Sequence, residues 1–339
     1  MEIIMPCAGL STRFPNLRPK YLLSDYSNQL MIERAVANFL GKYPITVVIL
    51  DAHDKKFNAR RKLVDAFGEK IKIVVLENPT SGPADTAYQA ILQGQIDINS
   101  PIIIKDCDGF YNADLVEGNA IYVSKLSKNP NIQNAPAKSY TIANEQQIVS
   151  TVVEKQIVSD SFCAGGYQFN SAGEYKSAFE ALRDSATNEI FVSNIIDYMI
   201  SQGSVFVEQE VSDFIDVGTA KDWFEYNNKP TYFCDIDGTI VISNDDYYAP
   251  YQPIEPNVAK LRSELARGCK IVFTTARPKK YEYVTRTMLD ELGFAGCDLV
   301  MAVHHAKRIL INDYANSNPY PSAIAVNMKR DDNNLGDLI

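Results

Sequence analysis

The stretch IIMPCAGLSTRFPNLRPKYLL, residues 3 to 23, decides the fold of the N-terminal part of the chain. An apolar run ends at a series of small and polar residues, and an unbroken apolar run returns at Tyr21-Leu22-Leu23, so the order reads as strand, loop and return into the core. Gly9 lets backbone N–H groups approach an anion closely, and Ala8, Leu10 and Ser11 complete the turn around it. Arg13 and Lys20 supply the positive charge that a triphosphate and its pentavalent transition state require.

Outward from that loop, short apolar runs at ITVVIL (45–50), KIVVL (72–76), PIIIKD (101–106) and VSTVVE (149–154) alternate with stretches of helical spacing such as MIERAVANFLGKY (31–43) and SGPADTAYQAILQG (81–94). Alternation of this kind predicts an α/β domain built on a mostly parallel sheet. The pattern restarts after the polar passage EYNNKPT (225–231), which places a linker there and divides the chain into residues 1–228 and 229–339. Strands are expected in the second part at TYFCDI, KIVFTTA, DLVMAV, RILIND and SAIAVNM, giving a small doubly wound domain with a loose polar tail, MKRDDNNLGDLI.

With 33 basic and 42 acidic residues the formal charge is -9, which argues against a broad nucleic-acid interface and leaves only local phosphate binding. No stretch approaches the ~20 apolar residues that cross a bilayer. MEIIMPCAGL lacks the charged-then-apolar order of a signal peptide, so a cytoplasmic, membrane-free protein is expected, with homo-oligomerisation left open. The six cysteines show no C-x-x-C spacing and read as small buried hydrophobes of a reducing compartment. His53, His304 and His305 read as structural or exposed, since adjacent residues of a regular element cannot face one site. The tyrosines of DDYYAPYQP (245–253) read as packing or interface surface.

Two aspartate pairs close apolar strands. Asp106 and Asp108 end IIIKDCD, and Asp235 and Asp237 end YFCDID; carboxylates two apart at a strand end can hold a divalent cation. Ligands collect at such carboxyl ends in open α/β sheets, and Gly238 permits the sharp turn that follows.

The loop PCAGLSTRF with its downstream PKYLL resembles the signature of sugar-phosphate nucleotidyltransferases, with Cys7 in place of an alanine and Ser11 in place of a second glycine. LENPTSGPADTAYQAI resembles that family's base-recognition segment and implies Glu77, Ser81 and Gly82 near the base. Ala8, Gly9, Leu10, Ser11 and Asp106 would join them around the nucleotide. VVEKQIVSDSFCAGGYQF and DFIDVGTAKDW resemble its E-K, G-x-Y-x-F and D-x-G-T motifs. They imply Lys155 on the acceptor's phosphate, Glu154 and Gly166 lining the acceptor pocket, and Asp216 joining Asp108 as a metal ligand. The resemblance implies a Rossmann-like, GT-A-like mixed sheet that uses Mg²⁺, with Arg13 and Lys20 as catalytic cations. It would transfer a nucleotidyl group from a nucleoside triphosphate, CTP by analogy, to a phosphorylated sugar or polyol with release of pyrophosphate.

YFCDIDGTIV resembles motif one of the haloacid dehalogenase superfamily. That resemblance implies Asp235 as nucleophile, Asp237 as acid and base, and Thr275, assisted by Arg277, as the phosphoryl-holding residue. Lys307 would neutralise charge, and Asp235, Asp237 and Asp313 would hold Mg²⁺. The insert 242–268 contains one helix and is short for a cap. The fusion resembles proteins of bacterial surface-polysaccharide, or capsule, pathways. The alternatives are a GT-A glycosyltransferase, whose D-x-D motif Asp106-Cys107-Asp108 resembles, and a non-catalytic scaffold or sensor.

Overall fold

A computed structural model describes residues 1–130, 132, 134–183, 189–313 and 323–339. The chain divides into two compact units, Met1–Asn227 and Asn228–Ile339.

The first unit contains strands β1 (Glu2–Pro6), β2 (Ile45–Leu50), β3 (Lys72–Leu76), β4 (Ile102–Lys105), β5 (Gly109–Asn112), β6 (Asn119–Lys125), β7 (Ser139–Ala143), β8 (Val149–Glu154), β9 (Ser161–Phe169), β10 (Phe206–Glu210) and β11 (Ser212–Asp216). Its helices are α1 (Met31–Val36), α2 (Asp51–Phe57), α3 (Ala59–Phe67), α4 (Pro83–Gln93), α5 (Ala172–Arg183), α6 (Val192–Ser201) and α7 (Ala220–Asn227). The main sheet runs β10-β6-β9-β4-β1-β2-β3, with β1, β2, β3 and β4 parallel and β9 reversed between β4 and β6. Alternating side chains feed two cores. Ile4, Val48, Ile102 and Ile104 pack with α4, α5 and α6 on one face, while Ile3, Met5, Val47 and Ile103 pack with α1 and α3 on the other. Each fully buried aliphatic side chain of this kind contributes about 1.5–3 kcal/mol. α4 starts with Pro83 in its first turn, where a missing N–H costs nothing, and turns Ala84, Ala87, Tyr88 and Ile91 inward at helical spacing.

Two expectations change here. VSTVVE is β8 of an antiparallel hairpin with β7, because the five residues 144–148 cannot carry a parallel crossover; Asn144 Oδ1 closes the turn by accepting from Gln146 N and Ile148 N. The expected linker at EYNNKPT begins inside α7, where Trp223 and Tyr226 stack.

The second unit has β12 (Thr231–Asp235), β13 (Lys270–Thr274) and β14 (Asp298–Val300), parallel in that order, with α8 (Glu255–Ala266), α9 (Glu282–Glu291) and α10 (Leu335–Leu338). Its own core joins Ile236, Ile240, Val258, Leu261, Phe273 and Leu289. RILIND forms no strand: Ile309 is 82% and Ile311 87% exposed. SAIAVNM forms none over its described residues 323–328, with Ile324 at 86%, and Ser322 lies outside the described residues. An apolar run satisfies the pattern for a buried strand, but among the described residues neither segment joins a strand edge that would bond its N–H and C=O groups. The tail is more ordered than its composition implies, since Leu335 is buried and its N–H bonds Asn257 Oδ1.

Candidate active site

The loop after β1 is closed by its own polar atoms. Ser11 has φ +51°, the left-handed region that glycine enters freely, and its Oγ accepts from Lys20 N at 3.2 Å. The serine at the altered position therefore keeps a glycine-like backbone and ties the two ends of the loop. Lys20 Nζ then reaches Asp108 Oδ2 at 2.6 Å, with Arg13 Nη2 at 3.4 Å from the same oxygen. Burial opposes charge on Asp108, but Lys20 and Arg13 hold its carboxyl well below the usual range. Burial likewise opposes charge on Lys20, and Asp108 more than reverses it, raising that ammonium above an ordinary lysine. Asp106 goes the other way, pushed up by burial and by the Asp108 charge.

The Asp106–Asp108 turn is held from beneath by Lys105, which is fully buried. Its Nζ donates to Asp106 O at 2.8 Å and to Gly109 O, and lies 4.4 Å from the Tyr111 ring centroid. Burial lowers this ammonium to about 8. Cys7 and Cys107 meet below the same turn, the Cys7 thiol donating to Cys107; burial raises Cys7, whereas that hydrogen bond, aided by Lys20, lowers Cys107.

β5 and β11 pair so that Asp216 lies opposite Gly109, bringing Asp216 beside Asp108. A Cβ at Gly218 would stand 3.0 Å from Asp216 Oδ1, 3.3 Å from Asp108 Oδ2 and 3.4 Å from Arg13 Nη1, so glycine leaves a cradle that both carboxylates face. Two carboxylates with an open remainder fit Mg²⁺, which keeps waters and takes substrate phosphates as its other ligands. Among the described residues no three His, Cys, Asp or Glu side chains converge as a metal site, so the protein's share would be these two.

A cavity beside this pair is lined by Arg13, Asp106, Asp108, Lys138, Glu154, Gly165, Phe191, Ser193, Phe214 and Asp216, among others. Glu154 Oε2 accepts from Ser139 Oγ and Ser193 Oγ, which fixes its orientation. Several expected residues lie elsewhere. Lys155 is exposed, has φ +55° and holds its Nζ 4.3 Å from the Phe191 ring centroid; Gly165 rather than Gly166 lines the cavity, and a Cβ at Gly166 would be 2.0 Å from the Tyr111 hydroxyl. Ala8, Gly9, Leu10, Ser11, Glu77, Ser81 and Gly82 do not line it either. Ser81 instead bonds the Asp85 carboxylate at the start of α4, through N and Oγ. Lys105, Lys138, Ser139 and Ser193 were missed by motif reading; the hairpin pairing Ser139↔Glu154, which puts Lys138 across from Lys155, is the signal that finds the second.

In the second unit, Arg277 is 5% exposed and grips Asp237 in a fork, Nε to Oδ2 at 2.9 Å and Nη2 to Oδ1 at 2.6 Å. Thr275 Oγ1 stands 3.5 Å from Asp237 Oδ2 and accepts from Arg277 N. Asp235 meets Arg308 Nη2 at 3.0 Å; the cation at this carboxylate is Arg308, whereas Lys307 is exposed, as is Asp313. Because Arg277 takes both oxygens of Asp237 and no third acid converges among the described residues, these side chains do not form the expected Mg²⁺ site as they stand. Asp331 ties the turn after Asp237, its N bonding Gly238 O and its Oδ1 accepting from Ser243 N. His53 is buried against Tyr21, and His304 and His305 are exposed. Of the cysteines, five are buried and Cys297 half-buried, all as free thiols.

No family model and no curated protein matches the chain. Solved structures do. A nucleoside-diphosphate-sugar pyrophosphorylase from Vibrio cholerae RC9 is 19% identical, with 66% of this chain and 98% of that one covered and a TM-score of 0.56. The inositol-1-phosphate CTP transferase from T. maritima is 13% identical, covering 65% and 90% with a TM-score of 0.52. A UDP-glucose pyrophosphorylase complexed with UDP-glucose is 15% identical, covering 67% and 97% with a TM-score of 0.51. The mixed sheet of the first unit thus has the fold of nucleotidyltransferases. Among the described residues no helix is long and apolar enough to cross a membrane.

Proposed function

We propose that the first unit transfers a nucleotidyl group from a nucleoside triphosphate to a phosphorylated sugar or polyol. The observation that carries this reading is the convergence of Lys20 and Arg13 on Asp108, beside Asp216, around the bare Cα of Gly218. An oxygen of the acceptor's phosphate attacks the α-phosphorus and pyrophosphate leaves in line, so no protein nucleophile is required. Arg13 and Lys20 neutralise the triphosphate, the loop Ala8–Ser11 with Glu77, Ser81 and Gly82 holds the nucleotide, and Glu154 orients the acceptor. Mg²⁺ held by Asp108 and Asp216 would supply further charge neutralisation at the phosphates. CTP is the favoured donor by family analogy.

The second unit is read as a phosphomonoesterase of the haloacid dehalogenase type. Asp235 attacks phosphorus and the ester oxygen leaves as an alcohol protonated by Asp237; water deprotonated by Asp237 then cleaves the aspartyl-phosphate to inorganic phosphate, with Thr275 and Arg308 on the phosphoryl oxygens and Arg277 orienting Asp237. Arg308 takes the place that motif reading gave to Lys307. The two activities would serve one route to a surface-polysaccharide precursor in the cytoplasm. The test is a matrix of nucleoside triphosphates against phosphorylated sugars and polyols, scored for pyrophosphate and inorganic phosphate separately. Pyrophosphate that depends on both substrates is the expected result, and its absence from every pair would sink the transferase reading.

A further inference from the structure

The hairpin β7–β8 ends with Lys138 and Lys155 across from each other, Lys155 N bonding Lys138 O at 3.0 Å. Their side chains part company. Lys155, with a positive φ, does not itself line the cavity; its Nζ stands 4.3 Å from the ring centroid of Phe191, which does. Lys138 lines the cavity, with its Nζ 2.6 Å from Asp216 Oδ2 and 5.9 Å from the Phe214 ring centroid. Arg13 and Lys138 are the cations among the lining residues, and the Arg13 side chain is 59% exposed against 21% for Lys138. The rest of the lining includes four carboxylates, Asp106, Asp108, Glu154 and Asp216. Four carboxylates oppose the entry of a dianionic phosphomonoester, and a cation in the lining offsets that repulsion.

We propose that Lys138, and not Lys155, grips the phosphate of the acceptor, and that Asp216 holds it ready by an ion pair that gives way when a divalent cation claims that carboxylate. The proposal rests on the transferase reading for the identity of the phosphate as the acceptor's. Lys20 and Lys138 then play matching parts: each ammonium is parked on one of the two carboxylates flanking Gly218 and is released toward an anion.

The test uses the full chain and the variants Lys138→Met, Lys138→Arg and Lys155→Met, with circular dichroism to check folding. Mn²⁺ binding is read by electron paramagnetic resonance and inorganic phosphate binding, with Mn²⁺ present, by calorimetry. Lys138→Met should bind phosphate about tenfold or more weakly, the size expected for losing one charged hydrogen bond. It should bind Mn²⁺ alone more tightly, because Asp216 loses a competing ammonium. Lys138→Arg should keep most of the phosphate affinity, and Lys155→Met should leave both ligands unchanged. With an acceptor found by the substrate matrix, Lys138→Met should raise the acceptor KM and leave that of the nucleotide. The proposal is overturned if phosphate affinity survives Lys138→Met, if Lys155→Met loses it instead, or if Lys138→Met loses Mn²⁺ and phosphate together. A wild type that never releases pyrophosphate would overturn the transferase reading, while the two binding measurements would still score Lys138.

Discussion

Lys105 is a cation with no solvent, and its ammonium serves the backbone rather than a ligand. By donating to the carbonyls of Asp106 and Gly109 it fixes the turn from which Asp108 projects. Lys105→Met keeps length and apolarity but removes both donors. Since a displacement of about 1 Å can cost roughly a hundredfold in rate, kcat/KM for pyrophosphate release should fall by about that factor while the far-UV circular dichroism is preserved. In the second unit Glu264 makes a pH prediction. An unperturbed glutamate titrates at 4.5, and the Lys260 hydrogen bond, against burial and with Cys269 and Arg267, brings Glu264 down to about 2. The folded state therefore binds fewer protons between those values. The stabilisation is complete above about pH 4.5 and drains away as pH falls toward 2. Glu264→Gln should cost about 2 kcal/mol at pH 7 and close to nothing at pH 2, measured by urea unfolding across that range.

At the level of elements, β9 carries the sharpest constraint. Gly165 has φ +79° and a Cβ there would meet Asp106 Oδ2 at 2.8 Å, while Gly166 gives its space to the Tyr111 hydroxyl. Gly166→Ala should destabilise the first unit by about 1–3 kcal/mol through overpacking, and Gly165→Ala should in addition displace Asp106 and impair turnover. Thermal denaturation and steady-state kinetics separate the two. β1, β2 and β4 were legible because strands buried on both faces are written as unbroken apolar runs, and β3 because KIVVL is the same kind of run on the half-buried edge of the sheet. The loop with Arg13 and Lys20 and the aspartate pair were legible because charge placed next to such a run has few structural uses. Lys138 was not, since a lysine before a strand looks like any surface lysine until β7 is paired with β8. RILIND misled for the opposite reason: Ile309-Leu310-Ile311 is an unbroken apolar run like those of the buried strands, yet all three side chains are exposed.

For the whole molecule, the two units have separate cores and separate aspartate pairs, Asp108 with Asp216 in one and Asp235 with Asp237 in the other. If each pair runs its own reaction, single substitutions should dissect the protein. Asp108→Asn keeps shape but removes the charge that Lys20 and Arg13 meet, and should lower pyrophosphate release by about a hundredfold or more, with phosphate release unchanged. Asp235→Asn removes the nucleophile, so phosphate release should fall to background and pyrophosphate release stay at the wild-type rate. A one-pathway fusion adds a stricter demand, namely that the compound dephosphorylated by the second unit be a precursor or a nucleotide product of the first. Incubating each variant with the same triphosphate and acceptor, and following both products by ³¹P resonance, tests it. Intermediate should accumulate in one variant and disappear when the complementary variant is added. If no phosphorylated precursor or nucleotide product ever loses phosphate, the shared-pathway reading fails even where both activities are present.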